Sequence, residues 1–299
     1  MAIGCEHGAA CHDGSAPSMA TAPEASRAWL LIEHPGPWPA EPTEAAQPGR
    51  LGELVAAAAA LGIRVQLIRR PGRRGPLLER TVFAGWTAGA MPWLRRGMMA
   101  PDACGLDVAA LAEGHAPAFG EPVDEPVFLV CVHGRRDVCC ARFGVPLAQS
   151  LAASYPAQVW ETTHVGGHKY AGNLVILPHG LYYGPVGATQ AAASIDAYSR
   201  GNVLAARYRG RAGQPREIQE KEHAQLEEAG MLPLSSLRLA RGGEAQSSVE
   251  DLGERFQQAG NPRRGCAVLY GNEWPPCPAR AATRLIAQPL GIFLPKEAG

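Results

Sequence analysis

The chain has 299 residues, 46% of them hydrophobic, and its 28 Lys and Arg balance 28 Asp and Glu. Such a length predicts about two domains with real cores. The balanced charge argues against nucleic acid or an anionic membrane as a partner, since both select a clustered basic surface. With no apolar run long enough to span a bilayer and no secretory signal, a cytoplasmic location is expected. In that reducing compartment, eight cysteines indicate metal or redox chemistry rather than a disulfide framework.

The sequence of residues 1–122 predicts a leader followed by an α/β unit. Residues 1–26 are rich in Ala, Gly, Ser and Pro and are expected to be flexible; they contain Cys5 and Cys11, whose role is unassigned. Residues 27–122 then alternate in the order β-α-β-β-β-α. The predicted segments are "AWLLIEHPGPW", "LGELVAAAAALG", "IRVQLIRR", a hairpin from "RTVFAGW" and "MPWLRRGMM", and "GLDVAALAEG".

A second unit of the same order starts about 100 residues later. Its predicted segments are "PVFLVCVHG", "VPLAQSLAASYP", "AQVWETTHV", a hairpin from "NLVILP" and "LYYGPV", and "ATQAAASIDAYSRG". A βαβ unit followed by a hairpin and a closing helix is the thioredoxin-like arrangement. We therefore predict an α/β fold, with a thioredoxin-like domain at 123–201 preceded by a divergent copy at 27–122. Residues 202–299 are predicted to be a C-terminal extension of helices and strands, with Cys266 and Cys277 of unassigned role.

The candidate site lies in "CVHGRRDVCC" and "THVGGHKY", which follow two predicted strands. Because Cys131 and His164 fall at strand ends, they are expected at the same edge of the sheet. Cys131 and Cys140 in C-x8-C spacing, with His164 and His168 in H-x3-H spacing, form a donor set that suits zinc or an iron–sulfur cluster. The two histidines share a face if their turn is helical. The eight-residue gap exceeds that of a zinc knuckle and favours a two-iron cluster with His on one iron.

Two alternatives to an iron–sulfur protein stay open. A structural zinc module would use the same donor set as a binding scaffold. A thiol-based oxidoreductase would use Cys139 or Cys140 as its nucleophile, although the C-x-x-C of a thioredoxin dithiol is absent. Three further residues, His133, Arg135 and Lys169, are candidates for contacts around the ligands, and His133 is also a candidate alternative ligand. A nearby cation would raise the potential of an anionic centre.

These segments, with "WLLIEHPGPW" upstream, resemble the sucrase/ferredoxin-like family, which includes thioredoxin-like ferredoxins of the actin-patch-distribution type. The motifs H-G-x-R-D, H-V-G-G-H-x-x-A-G-N and Y-G-P-V carry the resemblance. It implies a [2Fe–2S] cluster bound by Cys131, Cys140, His164 and His168. The chain departs from the family pattern in having Cys139 beside Cys140, and Cys139 is either a bystander or a spare ligand.

We therefore expect an electron carrier rather than a stand-alone enzyme, which serves an unidentified redox partner protein. His168 is expected to be the exposed ligand, at which electron transfer couples to a proton. Sucrase activity is not expected, because no motif nominates two facing carboxylates. The sequence names neither the electron donor or acceptor nor the oligomeric state.

Overall fold

The computed structural model describes residues 21–45, 50–72, 74–89, 91–100 and 105–237, and the fold is given for these residues. Their α-helices are Arg50–Ala60 (α1), Val108–Ala112 (α2), Val138–Ser154 (α3), Ala188–Ser199 (α4) and Arg216–Ala229 (α5). The first six strands are Ala28–Glu33 (β1), Arg64–Arg69 (β2), Arg80–Trp86 (β3), Trp93–Met99 (β4), Glu121–Pro122 (β5) and Val127–Cys131 (β6). The other six are Val159–Thr162 (β7), Leu174–Leu177 (β8), Leu181–Tyr183 (β9), Asn202–Leu204 (β10), Tyr208–Arg211 (β11) and Met231–Pro233 (β12).

The first unit is a βαβ crossover followed by a hairpin. Strand β1 is buried along its whole length. It pairs in parallel with β2, and helix α1 connects the two strands. Strand β3 is antiparallel to β1, and β4 is antiparallel to β3. A strand buried on both faces reads as a continuous apolar run, which is why "AWLLIE" lacks the alternation of a half-exposed strand.

The second unit repeats this arrangement. Strands β6 and β7 are parallel and are connected by α3, β8 is antiparallel to β6, and β9 is antiparallel to β8. The α/β fold of two thioredoxin-like units is therefore confirmed. The domain boundaries at 27, 123 and 202 stay a prediction.

The two units are joined edge to edge by β2 and β7. These strands are antiparallel and pair Ile68 with Thr162 and Arg69 with Glu161. One ten-stranded sheet results, in the order β11-β9-β8-β6-β7-β2-β1-β3-β4-β5, and the described residues lie in one compact unit. Strand β11, from the predicted C-terminal extension, extends this sheet beside β9.

Alternate residues of the central strands bury two different apolar clusters. Leu30 and Ile32 of β1 pack in a cluster that includes residues of α1 and α3, whereas Leu31 of the same strand packs in a second one. This alternation follows from the two-residue period of a strand. Cys131 and Cys140 belong to the second cluster, so the thiols lie among apolar side chains.

The structure differs from the predicted elements mainly around α3. This helix begins at Val138, seven residues before the predicted "VPLAQSLAASYP", so the last three residues of "CVHGRRDVCC" are helical rather than part of a loop. Asp137, whose carboxylate accepts a hydrogen bond from the Cys139 amide, is the N-cap that sets this start.

The ends of the chain are described only in part. At the end of the predicted leader, Ala22 and Ser26 are buried, and the Thr21 amide donates to the carbonyl of Arg209. The elements predicted beyond residue 237 lie outside the described residues, as do five cysteines, Cys5, Cys11, Cys104, Cys266 and Cys277. Among the helices that the structure describes, none combines the length and apolar character that a membrane crossing requires.

Candidate metal centre

Cys131 ends the central strand β6 and is 1% exposed. Its amide donates to the carbonyl of Asn173 in the neighbouring chain segment, at 3.1 Å. Helix α3 comes unusually close to this strand end, because a Cβ atom at Gly144 would overlap the Cys131 carbonyl. Glycine at position 144 therefore allows the helix that carries Cys140 to pack directly on the strand that carries Cys131.

Cys140 lies in the first turn of α3 and is fully buried. The Asp137 carbonyl accepts from its amide, and the Asp137 carboxylate caps the same turn. The amide groups at a helix N-terminus favour negative charge, and a thiolate is the form of cysteine that binds metals. The turn that begins at Asp137 thus places Cys140 beside Cys131 in an environment suited to metal binding.

His164 follows β7 by two residues, and its backbone is held on both sides. Its amide donates to Nδ1 of His133 at 3.1 Å, while His133 Nε2 lies 2.7 Å from the carbonyl of Pro39. Burial lowers the pKa of His133, which favours the neutral ring whose Nδ1 can accept this hydrogen bond. The His164 carbonyl accepts from Arg64 and Gln66 of β2, each at 3.3 Å. His133 therefore positions the segment that carries His164.

The structure brings Cys131, Cys140 and His164 together. One ligand atom of each lies within 4.8 Å of the other two, and Cys140 Sγ is 3.5 Å from His164 Nδ1. A hydrogen bond with Cys140 holds the pKa of Cys131 well below its ordinary value, and the same contact raises the pKa of Cys140. The metal-free pair therefore favours one thiolate with one protonated thiol. A metal that binds both sulfurs has to displace the remaining proton.

His168 lies outside this group of three ligand atoms. Its side chain is 51% exposed, and Nδ1 is 3.8 Å from a carboxylate oxygen of Asp137. The segment between the two histidines is not helical, because Gly166 and Gly167 have φ angles of 97° and 69°. His164 and His168 therefore do not share a helical face, although Asp137 keeps His168 at the helix end that carries Cys140. The role of His168 as a ligand stays a prediction.

The other predicted residues surround the site without joining it. Cys139 is buried against Ala171 and Phe143, and its sulfur is not part of the group of three ligand atoms. Arg135 is exposed, and the exposed Lys169 holds its ammonium group 5.0 Å from the ring centre of Tyr170.

Sequence reasoning missed several residues that organise the site. An Asp just before an apolar segment is a helix N-cap signal, so Asp137 was detectable. Gln66 of β2 donates to the His164 carbonyl, and Arg209 of β11 donates to the side chain of Asn173, whose carbonyl accepts from the Cys131 amide. No local sequence pattern predicts these contacts, because they join distant parts of the chain.

The fold and the site together define a thioredoxin-like α/β protein with a Cys, Cys, His group suited to metal binding. A model of the sucrase/ferredoxin-like family matches residues 19–210, and the chain belongs to this family. The match ends just past Arg209 and includes both units of the sheet.

Three curated relatives are each named altered inheritance of mitochondria protein 32. The protein from Eremothecium gossypii is 32% identical over 110 residues, which are 31% of this chain and 35% of the relative. The one from Meyerozyma guilliermondii is 31% identical over 102 residues (30% and 36%), and the one from Debaryomyces hansenii 30% over 101 residues (30% and 37%). The chain thus spans about a third of the length of these relatives. No solved structure matches the chain.

Proposed function

We propose that this protein is a one-electron carrier that binds a [2Fe–2S] cluster through Cys131, Cys140, His164 and His168. The observation that supports this most is the convergence of two buried thiols and one imidazole at the end of a central strand. Soft thiolate and imidazole ligands suit iron–sulfur clusters. When bound, such a cluster accepts and releases one electron, and histidine ligation raises its potential relative to four thiolates.

The protein's own residues would bind and orient the cluster. Burial of Cys131 and Cys140 keeps water from the sulfurs. His133, held by Pro39, orients the segment that carries His164. We expect the half-exposed imidazole of His168 to release a proton when the cluster is oxidised. The electron would pass to a redox partner protein whose identity is open.

A structural zinc site is the second candidate, and one observation favours it. Three donor atoms within 4.8 Å of one another would suit a single tetrahedral ion with a fourth ligand. The half-exposed His168, outside this group, instead suits a cofactor larger than one ion. The third candidate, a thiol-based oxidoreductase, needs an accessible nucleophile, whereas Cys139 is 8% exposed and Cys140 is fully buried.

The decisive experiment is the visible and electron paramagnetic resonance spectrum of protein purified without oxygen. We expect red-brown protein with a rhombic signal that emerges on reduction with dithionite, and a midpoint potential that falls as pH rises. Colourless protein with one zinc per chain would overturn the cluster, and a potential independent of pH would overturn the coupled proton.

Two neighbouring cysteines provide a matched pair of variants for the same measurement. Cys140→Ser removes a sulfur of the ligand group and should abolish the spectrum of the wild-type centre. Cys139→Ser changes a thiol that packs on Phe143 and should leave that spectrum in place. The reverse result would assign the ligand to Cys139.

The name of the three relatives refers to mitochondria, whereas the sequence favours a cytoplasmic location. We propose a connection with mitochondria, and microscopy of the tagged protein in its own cells, scored against mitochondrial and cytoplasmic markers, would decide between the two.

A further inference from the structure

Arg209 is a fully buried cation in strand β11, beside the candidate metal centre. Its side chain and backbone are 1% exposed. Nε donates to the Thr21 hydroxyl at 2.9 Å, Nη2 donates to the Thr21 carbonyl at 3.3 Å, and Nη1 donates to the side-chain oxygen of Asn173. All these acceptors are neutral, so they satisfy the hydrogen bonds of the guanidinium without neutralising its charge.

The same strand contains a buried arginine that is neutralised. Arg211 forms an ion pair with the carboxylate of Glu222 through Nε, at 3.0 and 3.1 Å, and through Nη2. Among the residues that the structure describes, no carboxylate forms such a pair with Arg209. A buried charge without a counter-charge is costly, and proteins usually pair one or use it for binding. Arg209 therefore needs an anion other than a carboxylate of the described residues.

Asn173 connects Arg209 to the candidate ligand Cys131, because its carbonyl accepts from the Cys131 amide at 3.1 Å and its side-chain oxygen accepts from Arg209 Nη1. Burial lowers the pKa of Arg209 to about 10, and nearby Cys131 opposes this shift. The rings of Tyr182 and Tyr170 also neighbour the guanidinium. The two tyrosines hold their rings over the guanidinium, with centres at 5.6 and 4.2 Å, which suits a cation–π contact. Cysteine binds a metal as the thiolate, so metal-bound Cys131 and Cys140 would supply the negative charge that Arg209 lacks.

The ligand segment is shaped to fit this guanidinium. A Cβ atom at Gly167 would overlap Nη2 of Arg209, so only glycine lets the segment between the two histidines approach so closely. The side-chain amide of Asn173 donates to the Gly167 carbonyl at 3.1 Å, while its oxygen accepts from Arg209. The guanidinium is therefore in contact with the segment that links His164 to His168.

We propose that Arg209 is the positioning and charge-compensating residue of the metal centre. It neutralises the thiolates that bind the metal and favours the reduced form of the cluster, which carries one more negative charge. Arg209 therefore raises the midpoint potential and tightens metal binding. The effect on potential rests on the proposed function, whereas the effect on metal binding applies to zinc as well.

The test compares Arg209→Met, which keeps the length of the side chain and removes its charge, with Arg209→Lys, which keeps the charge. In cluster-loaded protein, Arg209→Met should lower the midpoint potential, and Arg209→Lys should stay close to wild type. In urea denaturation, Arg209→Met should cost more stability in the loaded protein than in the metal-free protein. Equal potentials in wild type and Arg209→Met, or equal stability losses in the two forms, would overturn the proposal.

Arg211→Met is the matched control, since it removes a buried but paired cation two residues along the strand. It should lower the stability of loaded and metal-free protein alike and leave the potential unchanged. If it lowers the potential as much as Arg209→Met does, the effect is unspecific and the proposal fails. Folded Arg209→Met that cannot hold the cluster supports the proposal if Arg209→Lys holds it, and contradicts it if both variants lose the cluster.

The wild-type spectrum separates this inference from the proposed function. If the centre holds zinc, the cluster is excluded, but Arg209 is still tested by competition with a chelator. Loss of charge at position 209 should then weaken zinc binding by about 10- to 100-fold, as for other residues around metal ligands, with Arg209→Lys near wild type. Unchanged zinc binding in Arg209→Met would overturn the inference in that case.

Discussion

The two α/β units of this protein have the same strand order and different chemistry at the strand ends. In the first unit Glu33 pairs with Ile68, and in the second Cys131 pairs with Thr162 at the equivalent last position of the parallel ladder. Arg70 lies two residues after Ile68 in the first unit, and His164 lies two residues after Thr162 in the second, so these two positions are equivalent. The fold alone therefore does not create a group of metal-binding residues, and the residues at two strand ends decide which unit carries the candidate centre.

Arg70 shows what the first unit does with the position of His164. Its guanidinium lies over the ring of Trp160, 3.7 Å from the ring centre. Its Nη1 donates to the carbonyl oxygens of Pro156, Ala157 and Val159 at 2.8 to 3.1 Å. At this position the second unit places the His164 imidazole beside two thiols. The first unit instead places the Arg70 guanidinium, which donates hydrogen bonds to backbone carbonyls of the second unit.

The first unit lacks the candidate ligands, but its residues donate and accept hydrogen bonds that hold the segment leading to His164. Gln66 of β2 is buried, and its Oε1 accepts from the hydroxyls of Thr162 and Thr163 at 3.1 and 2.7 Å. Its Nε2 donates to the His164 carbonyl. The amide of Leu67 adds a hydrogen bond to the Thr163 hydroxyl. The segment from Thr162 to His164 is therefore held by hydrogen bonds between residues of both units.

The largest effect is expected where the two equivalent positions are compared directly. His164→Ala removes one of three converging ligand atoms and should abolish the spectrum of the metal centre. Arg70→Ala should leave that spectrum in place and lower the free energy of unfolding by about 1 kcal/mol through lost hydrogen bonds. Metal content and urea denaturation of both variants measure the contrast. A normal centre in His164→Ala would remove this residue from the ligand set.

A smaller effect is expected from removing the support that the first unit provides. Gln66→Leu leaves the hydroxyls of Thr162 and Thr163 without their acceptor, which should cost about 1–3 kcal/mol of stability. We also expect metal binding to weaken by roughly 10- to 100-fold, since Gln66 orients the segment of a ligand. Chelator competition and denaturation measure the two effects.

The control for this variant is Gln158→Leu, which changes a half-buried side chain whose amide donates a solvent-exposed hydrogen bond to Glu125 at 3.2 Å. Its stability should stay within about 0.5 kcal/mol of wild type. If Gln66→Leu binds metal as tightly as this control, the first unit does not contribute to the centre.

The smallest effect on the candidate centre is expected from a half-buried histidine in the hairpin of the second unit, which has no counterpart in the first. Burial lowers the pKa of His179, between β8 and β9, to about 4, and Nδ1 lies 2.6 Å from the Tyr198 hydroxyl. Between the ordinary pKa of 6.5 and about 4 the unfolded chain binds this proton and the folded chain does not. The contribution to stability is therefore complete above pH 6.5 and is lost as pH falls to 4, by roughly 2 kcal/mol.

Denaturation of wild type and His179→Gln at pH 7.5 and 4.5 isolates this contribution, because other titrating groups are common to both proteins. The stability of His179→Gln should fall less over this interval. His115→Gln in the first unit, where the ring is 74% exposed, should follow the wild type. Parallel pH profiles for wild type and His179→Gln would contradict the assignment.

Local patterns predicted strands β1 to β4 and β6 to β9, the two crossovers, and the three residues that the structure brings together, Cys131, Cys140 and His164. They did not predict the short strands β5, β10, β11 and β12. Continuous apolar runs marked β1 and β6, and the strand ends located Cys131 and His164 at one edge. The start of α3 was set too late because the Asp137 cap was not recognised, and this hid the helical setting of Cys140. Gln66 and Arg209 could not be predicted, because their partners lie on strands whose adjacency is a tertiary property.

The hydrogen bonds around the centre join residues that are far apart in sequence, which has a consequence for the order of events during folding. Leu67 and Thr163 are 96 residues apart, and Thr21 and Arg209 are 188 residues apart. Contacts of such high sequence separation form slowly, after the local elements. Ribosomal synthesis must pass residue 209 before the guanidinium can meet its neighbours. We therefore expect a bound cofactor to enter a nearly folded chain, rather than to act as the nucleus around which the chain folds.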